Sequence, residues 1–104
     1  VADPIRIRAH LSDGVTEVRV LMPHPMETGF RLDEGGKPVA AHYIKDVQIS
    51  VAGRTVLTAT MSRSVSQDPL VHFRFRGGRV DDEITVAWTD TRGDRRLGVA
   101  RILG

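Results

Sequence analysis

Apolar and polar residues alternate with a period of two over nearly the whole chain, and short turns rich in glycine, aspartate or serine break the alternation at regular intervals. A strand points successive side chains to opposite faces, so this pattern describes half-buried strands; no segment sustains the 3.6-residue period of a helix. Ile5, Ile7, Ala9 and Leu11 alternate with Arg6, Arg8 and His10; after Ser12-Asp13-Gly14 the pattern resumes with Thr16, Val18, Val20 and Met22. Two strands joined by a tight turn form a hairpin. A second hairpin is predicted around Ala52-Gly53, between a strand carrying Val47, Ile49 and Val51 and one running from Thr55 to Met61. Val71, Phe73 and Phe75 mark a fifth strand, Ile84, Val86 and Trp88 a sixth, and Ala100 with Ile102 a short seventh.

Seven short strands with long connections at 23–42 and 62–69 predict an all-β fold, an immunoglobulin-like antiparallel β-sandwich, with a closed barrel as the alternative. At 104 residues the chain is expected to be one domain, 1–104, which buries roughly two-thirds of the surface its unfolded chain exposes. Trp88, the one tryptophan, falls on an inward face and is expected to plug the core. Asp33-Glu34-Gly35-Gly36-Lys37-Pro38 reads as a polar hairpin tip between Phe30–Leu32 and Val39–Ala41, a candidate mobile loop.

Composition removes several chemistries. There is no cysteine, which excludes thiol catalysis, disulfides and thiolate metal sites. No apolar run approaches the roughly 20 residues of a membrane span, so no membrane partner is expected. Val1-Ala2-Asp3-Pro4 is not a charged leader followed by an apolar stretch, and no secretory signal is expected in this form of the chain. Of 15 basic residues all but Lys37 and Lys45 are arginine, against 13 acidic ones. Arginine suits planar pairing at interfaces and points to a protein partner. Whether Arg79, Arg92, Arg95 and Arg96 meet in space decides whether they steer anions.

The alternation fails at Met22-Pro23-His24-Pro25-Met26-Glu27-Thr28-Gly29, where two prolines remove backbone donors. Met22, His24 and Met26 offer the soft ligands that Cu(I) prefers, yet Met22 also continues the inward face of its strand; a packed or partner-contacting loop is the favoured reading. His10, His24, His42 and His72 lie far apart in sequence and read as scattered surface histidines, without the spacing of a zinc site. The arginines and phenylalanines of His72–Arg79 resemble a nucleic-acid platform, but strand geometry sends the rings one way and the guanidiniums the other, so no nucleic-acid partner is expected. Ser62, Ser64 and Ser66 sit in no nucleophile elbow and neither glycine pair is a phosphate loop, so catalytic residues, cofactor and metal are all expected to be absent.

Taken in order, Ile5-Arg6-Ile7-Arg8, Asp13-Gly14-Val15-Thr16-Glu17-Val18, His24-Pro25-Met26-Glu27-Thr28-Gly29, Gly36-Lys37-Pro38-Val39, Ser66-Gln67-Asp68-Pro69, Phe73-Arg74-Phe75 and Trp88-Thr89-Asp90-Thr91-Arg92-Gly93-Asp94 resemble the SoxZ family. The His-Pro-Met-Glu-Thr-Gly stretch is the most specific of these. SoxZ is one subunit of the SoxYZ carrier of bacterial sulfur oxidation. The resemblance implies a β-sandwich with no nucleophile, paired with a SoxY subunit whose C-terminal Gly-Gly-Cys-Gly-Gly arm carries sulfur intermediates, derived from thiosulfate, between Sox enzymes that dock transiently. It also implies a periplasmic setting, reached by export together with SoxY. The rigid loop His24, Pro25, Met26, Glu27, Thr28 and Phe30 is then expected to contact SoxY or the docking enzymes, because prolines lower the ordering cost of binding. Glu27 either pairs with arginine or, with Thr28, satisfies the loop's own backbone donors.

Overall fold

The computed structural model describes residues 4–104, so the first three residues of the expected 1–104 domain, with Val1-Ala2-Asp3 of the expected leaderless start, lie outside the described residues. Seven strands form in the order β1 (Arg6–Ser12), β2 (Val15–Leu21), β3 (Ile44–Val51), β4 (Arg54–Thr60), β5 (Leu70–Arg76), β6 (Glu83–Asp90) and β7 (Arg95–Arg101). They divide into two antiparallel sheets, β1-β2-β5 and β4-β3-β6-β7. Two separate sheets make the fold a sandwich and exclude the closed barrel. Among the described residues no helix is long and apolar enough to cross a membrane.

The two tight hairpins are built by the turns that the sequence carries. Asp13 and Gly14 both take positive φ (53° and 77°), as do Ala52 and Gly53 (50° and 81°), the mirror-image turn whose twist matches that of paired strands. Inward residues of both sheets then meet: Ala9, Val18 and Val20 from one, Val47, Ile49, Val51, Ile84, Val86 and Trp88 from the other. Thr16 is also fully buried, its hydroxyl donating to the Gly77 carbonyl at 2.7 Å.

Strand β7 is longer than its sequence suggests. Its inward positions are Arg96, Gly98 and Ala100, so no apolar alternation announces it, while Leu97 and Val99 face solvent. Gly98 has a packing reason: a Cβ there would lie 2.9 Å from the Ile5 Cβ. Beyond the strand, Ile102 is buried, and Leu103 exchanges hydrogen bonds with Leu11 and Ala9, laying the last residues alongside β1.

The connection from β2 to β3 is not a regular hairpin. Isolated bridges Leu32↔Pro38 and Glu27↔His42 hold it together. Asp33 organises its tip, its carboxylate accepting from the amides of Gly35 and Lys37 at 2.9 Å each.

Candidate functional site

The period of two survives past the end of β2. Met22, His24 and Met26 are buried while Pro25 is exposed, so the segment continues as an extended chain without a regular ladder. Its neighbour is the turn before β5: Met22 N–H donates to the Pro69 carbonyl, His24 N–H to the Asp68 carboxylate, and Asp68 N–H to the His24 carbonyl. The prolines fall at the intervening positions, 23 and 25. A residue without N–H therefore leaves nothing unsatisfied there.

His24 points inward to the end of β6. Its Nε2 lies 3.0 Å from Asp90 Oδ2, and His42 Nε2 approaches the same oxygen at 2.6 Å from the far end of the β2–β3 connection. The imidazoles pack edge-on with centroids 4.5 Å apart, and His24 meets Trp88 in the same manner at 5.2 Å. Asp90 Oδ1 is taken as well, accepting the amides of Arg92 and Asp94 at 2.9 Å each. One buried carboxylate thus ties together three chain segments and the β6–β7 turn. Burial pushes the Asp90 carboxyl upward, but the bonds from His24 and His42 and the two amides outweigh it and hold the group below the ordinary aspartate range.

This arrangement corrects the reading of the histidines as scattered surface residues. His24 is buried, and it and His42 converge on Asp90; His10 and His72 are exposed, His72 bonded to Glu17 beside Arg74. Nothing in their spacing of 18 and 48 residues reveals the convergence. Only half of it is legible, since aspartate at the head of Asp90-Thr91-Arg92-Gly93-Asp94 is a turn-capping signature.

The ligand atoms of His24, His42 and Asp90 lie within 4.8 Å of one another, a spacing that invites a metal ion. The tautomer of His24 argues otherwise. Its Nδ1 accepts the Met26 amide at 3.1 Å, and a backbone N–H only donates, so the ring proton sits on Nε2 and points at Asp90. Coordination through that nitrogen would strip the proton and orphan a buried amide, at about 1–3 kcal/mol. The copper set fares no better, because Met26 sulfur accepts from the Ile44 amide at 3.2 Å and Met22 is sealed in the core.

The loop residues expected to face a partner divide between interior and surface. His24 and Met26 turn their side chains into the interior, where both are buried, and Met26 takes positive φ (49°). Pro25 and Phe30 are exposed, Phe30 at 73%, with the Arg63 guanidinium 5.2 Å over its ring. Glu27 forms a forked pair with Arg31, with Nη2 to Oε1 at 2.7 Å, and these bonds hold its carboxyl below the usual range. Thr28 accepts from the Phe30 amide. Glu27 therefore pairs with arginine, while Thr28 serves the loop.

Three of the four arginines in question meet. Arg92, Arg95 and Arg96 line one cleft of about 570 Å³ beside His42, Trp88 and Asp90. Arg79 stands at the opposite end of the sandwich, near Gly78 and Asp82.

The fold has solved relatives at low identity. Neelaredoxin, a superoxide reductase, from Archaeoglobus fulgidus in its reduced form superposes with a TM-score of 0.69 at 18% identity, over 100% of this chain and 92% of that one. A superoxide reductase in the oxidized state gives 0.68 at 12% identity over 96% and 87%, and the hypothetical protein PH1083 from Pyrococcus horikoshii gives 0.68 at 13% over 96% and 88%. These likenesses show the sandwich alone. No curated protein matches the sequence significantly. A family model described as sulphur oxidation protein SoxZ matches residues 5–100, which spans β1 through nearly all of β7 and includes the proline segment and the Asp90 turn. With both sheets and the buried His24–Asp90–His42 knot inside that match, the chain belongs to the SoxZ family of sulphur oxidation proteins.

Proposed function

We propose that the chain is the non-catalytic subunit of a two-subunit sulfur carrier, paired with a SoxY-type subunit whose C-terminal cysteine holds the covalent sulfur intermediates. The observation that carries this reading is a sulfur-oxidation family match in a chain without a single cysteine. A covalent thiol adduct must then reside on another chain. Asp90, the one buried carboxylate among the described residues, has every bond committed inward, which suits a support rather than a reacting group.

The partner-facing role of the proline loop belongs to the same reading and rests on Pro25, Thr28 and Phe30, with His24, Met26 and Glu27 fixing their backbone. Phe30 is the anchor, since large exposed aromatics supply much of the energy at protein interfaces. Transient docking of Sox enzymes and work in the periplasm, after export with the partner, complete the proposal. Co-expression with a SoxY-type subunit and size-exclusion chromatography tests it, with co-elution expected; separate elution at micromolar concentration refutes the pairing. Phe30→Ser should leave thermal stability unchanged and weaken the pair or the docking of a Sox enzyme by about tenfold or more. Unchanged affinities in both would remove the loop from the interface.

A further inference from the structure

The cleft beside Asp90 has the lining of an anion site. Arg96 occupies an inward position of β7, directly across from Trp88 in register, and the next inward position, Gly98, packs closely against Ile5 and Ile7. An arginine turned toward the interior normally meets a carboxylate. Among the described residues neither Arg96 nor Arg92 nor Arg95 forms a salt bridge, although Arg31 and Arg74 do. Asp90, which lines the same cleft, has both oxygens taken by two imidazoles and two amides, which leaves Asp94 as the one acid of the lining not already bonded there. Trp88, only 3% exposed, lines the same cleft, and its indole N–H is the one fully buried side-chain donor without an acceptor among the described residues. Three unpaired guanidiniums around a concave pocket attract a multivalent oxygen anion more strongly than chloride, because forked N–H donors match its geometry.

We propose that this cleft binds a tetrahedral sulfur oxyanion, held by Arg92, Arg95 and Arg96 at the mouth of the sandwich. The choice of sulfur oxyanion rests on the carrier reading above; the anion site itself rests on the arginines and the cleft. The oxyanion is either free or the sulfonate end of a group carried on a cysteine. In both cases the same guanidiniums receive the same three oxygens.

The test uses the chain alone, so it is unaffected by whether the pairing with a SoxY-type subunit holds. The single tryptophan gives one indole N–H resonance, which reports on the cleft directly. Titration with thiosulfate or sulfate at constant ionic strength should move that resonance to saturation, while chloride should not. Arg96→Gln should weaken binding by about tenfold or more, the worth of a charge-assisted bond, and Arg74→Gln on the far sheet should leave it unchanged. Arg92→Gln, in an exposed turn, repeats the test should Arg96→Gln fail to fold. Tighter binding of S-sulfocysteine than of thiosulfate assigns the cleft to a carried group, and the reverse order assigns it to the free anion; either order supports the site. An unsaturable drift shared with chloride, or saturable binding indifferent to both arginine variants, overturns the proposal.

Discussion

Replacing Asp90 with asparagine is the most discriminating perturbation of the fold, because it keeps the shape of the side chain and removes its charge. Four bonds converge on this carboxylate: two amides at 2.9 Å on Oδ1, and the two imidazole Nε2 atoms at 3.0 and 2.6 Å on Oδ2. An asparagine has one acceptor oxygen and one NH₂ donor. Placed with oxygen toward the amides, it aims its NH₂ at the His24 Nε2–H, which is fixed as a donor by the Met26 amide on Nδ1. Rotated the other way, it opposes its NH₂ to the amides of Arg92 and Asp94. Neither orientation avoids a buried donor facing a donor. Breaking a buried charged cluster in this way costs about 3–5 kcal/mol. That is a large share of the roughly 5–15 kcal/mol by which a domain of this size is stable, and it corresponds to a fall in Tm of roughly 15–25 °C. Urea denaturation followed by circular dichroism, with Asp94→Asn as the exposed control expected within about 0.5 kcal/mol of wild type, measures the difference. A loss below about 1 kcal/mol for Asp90→Asn would refute both the tautomer assigned to His24 and the role of Asp90 as the tie between segments.

Acid should act on the same group. The folded-state carboxyl of Asp90 lies below its unfolded value, so its contribution is complete above about pH 4 and is lost as pH falls through the depressed folded value. Urea midpoints measured at pH 5 and pH 3 should therefore drop further for wild type than for Asp90→Asn, and parallel drops would contradict the assignment. Gly78→Ala should destabilise by about 2–4 kcal/mol, since Gly78 has φ +84° and a Cβ there would stand 2.7 Å from Thr16 Oγ1 and 3.1 Å from Ile102 Cδ1. Gly93→Ala shares the positive φ (82°) in open space and should cost only about 1–2 kcal/mol; equal losses in a melting experiment would show that the overlap at Gly78 relaxes freely. On the outer face of the three-stranded sheet, Arg8 stands directly opposite Arg19. Arg8→Glu turns that repulsion into attraction and should raise Tm by roughly 1–5 °C at low salt, a gain that disappears near about 1 M NaCl; a gain insensitive to salt would point to another cause.

What the sequence discloses and what it hides follows from the range of the interactions involved. Hairpins at Asp13-Gly14 and Ala52-Gly53, the inward series Val18-Val20-Met22 and Ile84-Val86-Trp88, and the separation of Phe73 and Phe75 from Arg74 and Arg76 are set by neighbours one to four residues away, and all are readable as written. Strand β7 is harder because close packing against Ile5 and Ile7 demands glycine at position 98, which deletes the apolar signal at an inward position. The candidate site is harder still. Asp90 announces its turn, but its other two partners arrive from 48 and 66 residues away, and a histidine in sequence looks the same whether it faces water or a buried carboxylate. His24 nevertheless sits where period-two burial continues without a ladder, between two prolines that cannot donate. Such a segment has to find acceptors and donors in side chains, and the exchange between His24, Asp68 and Asp90 is the result. The proline pair is thus the local trace of a long-range knot: it marks where strand pairing gives way to a carboxylate and two imidazoles, and that knot in turn positions the turn from which Arg92 and the following arginines reach the cleft.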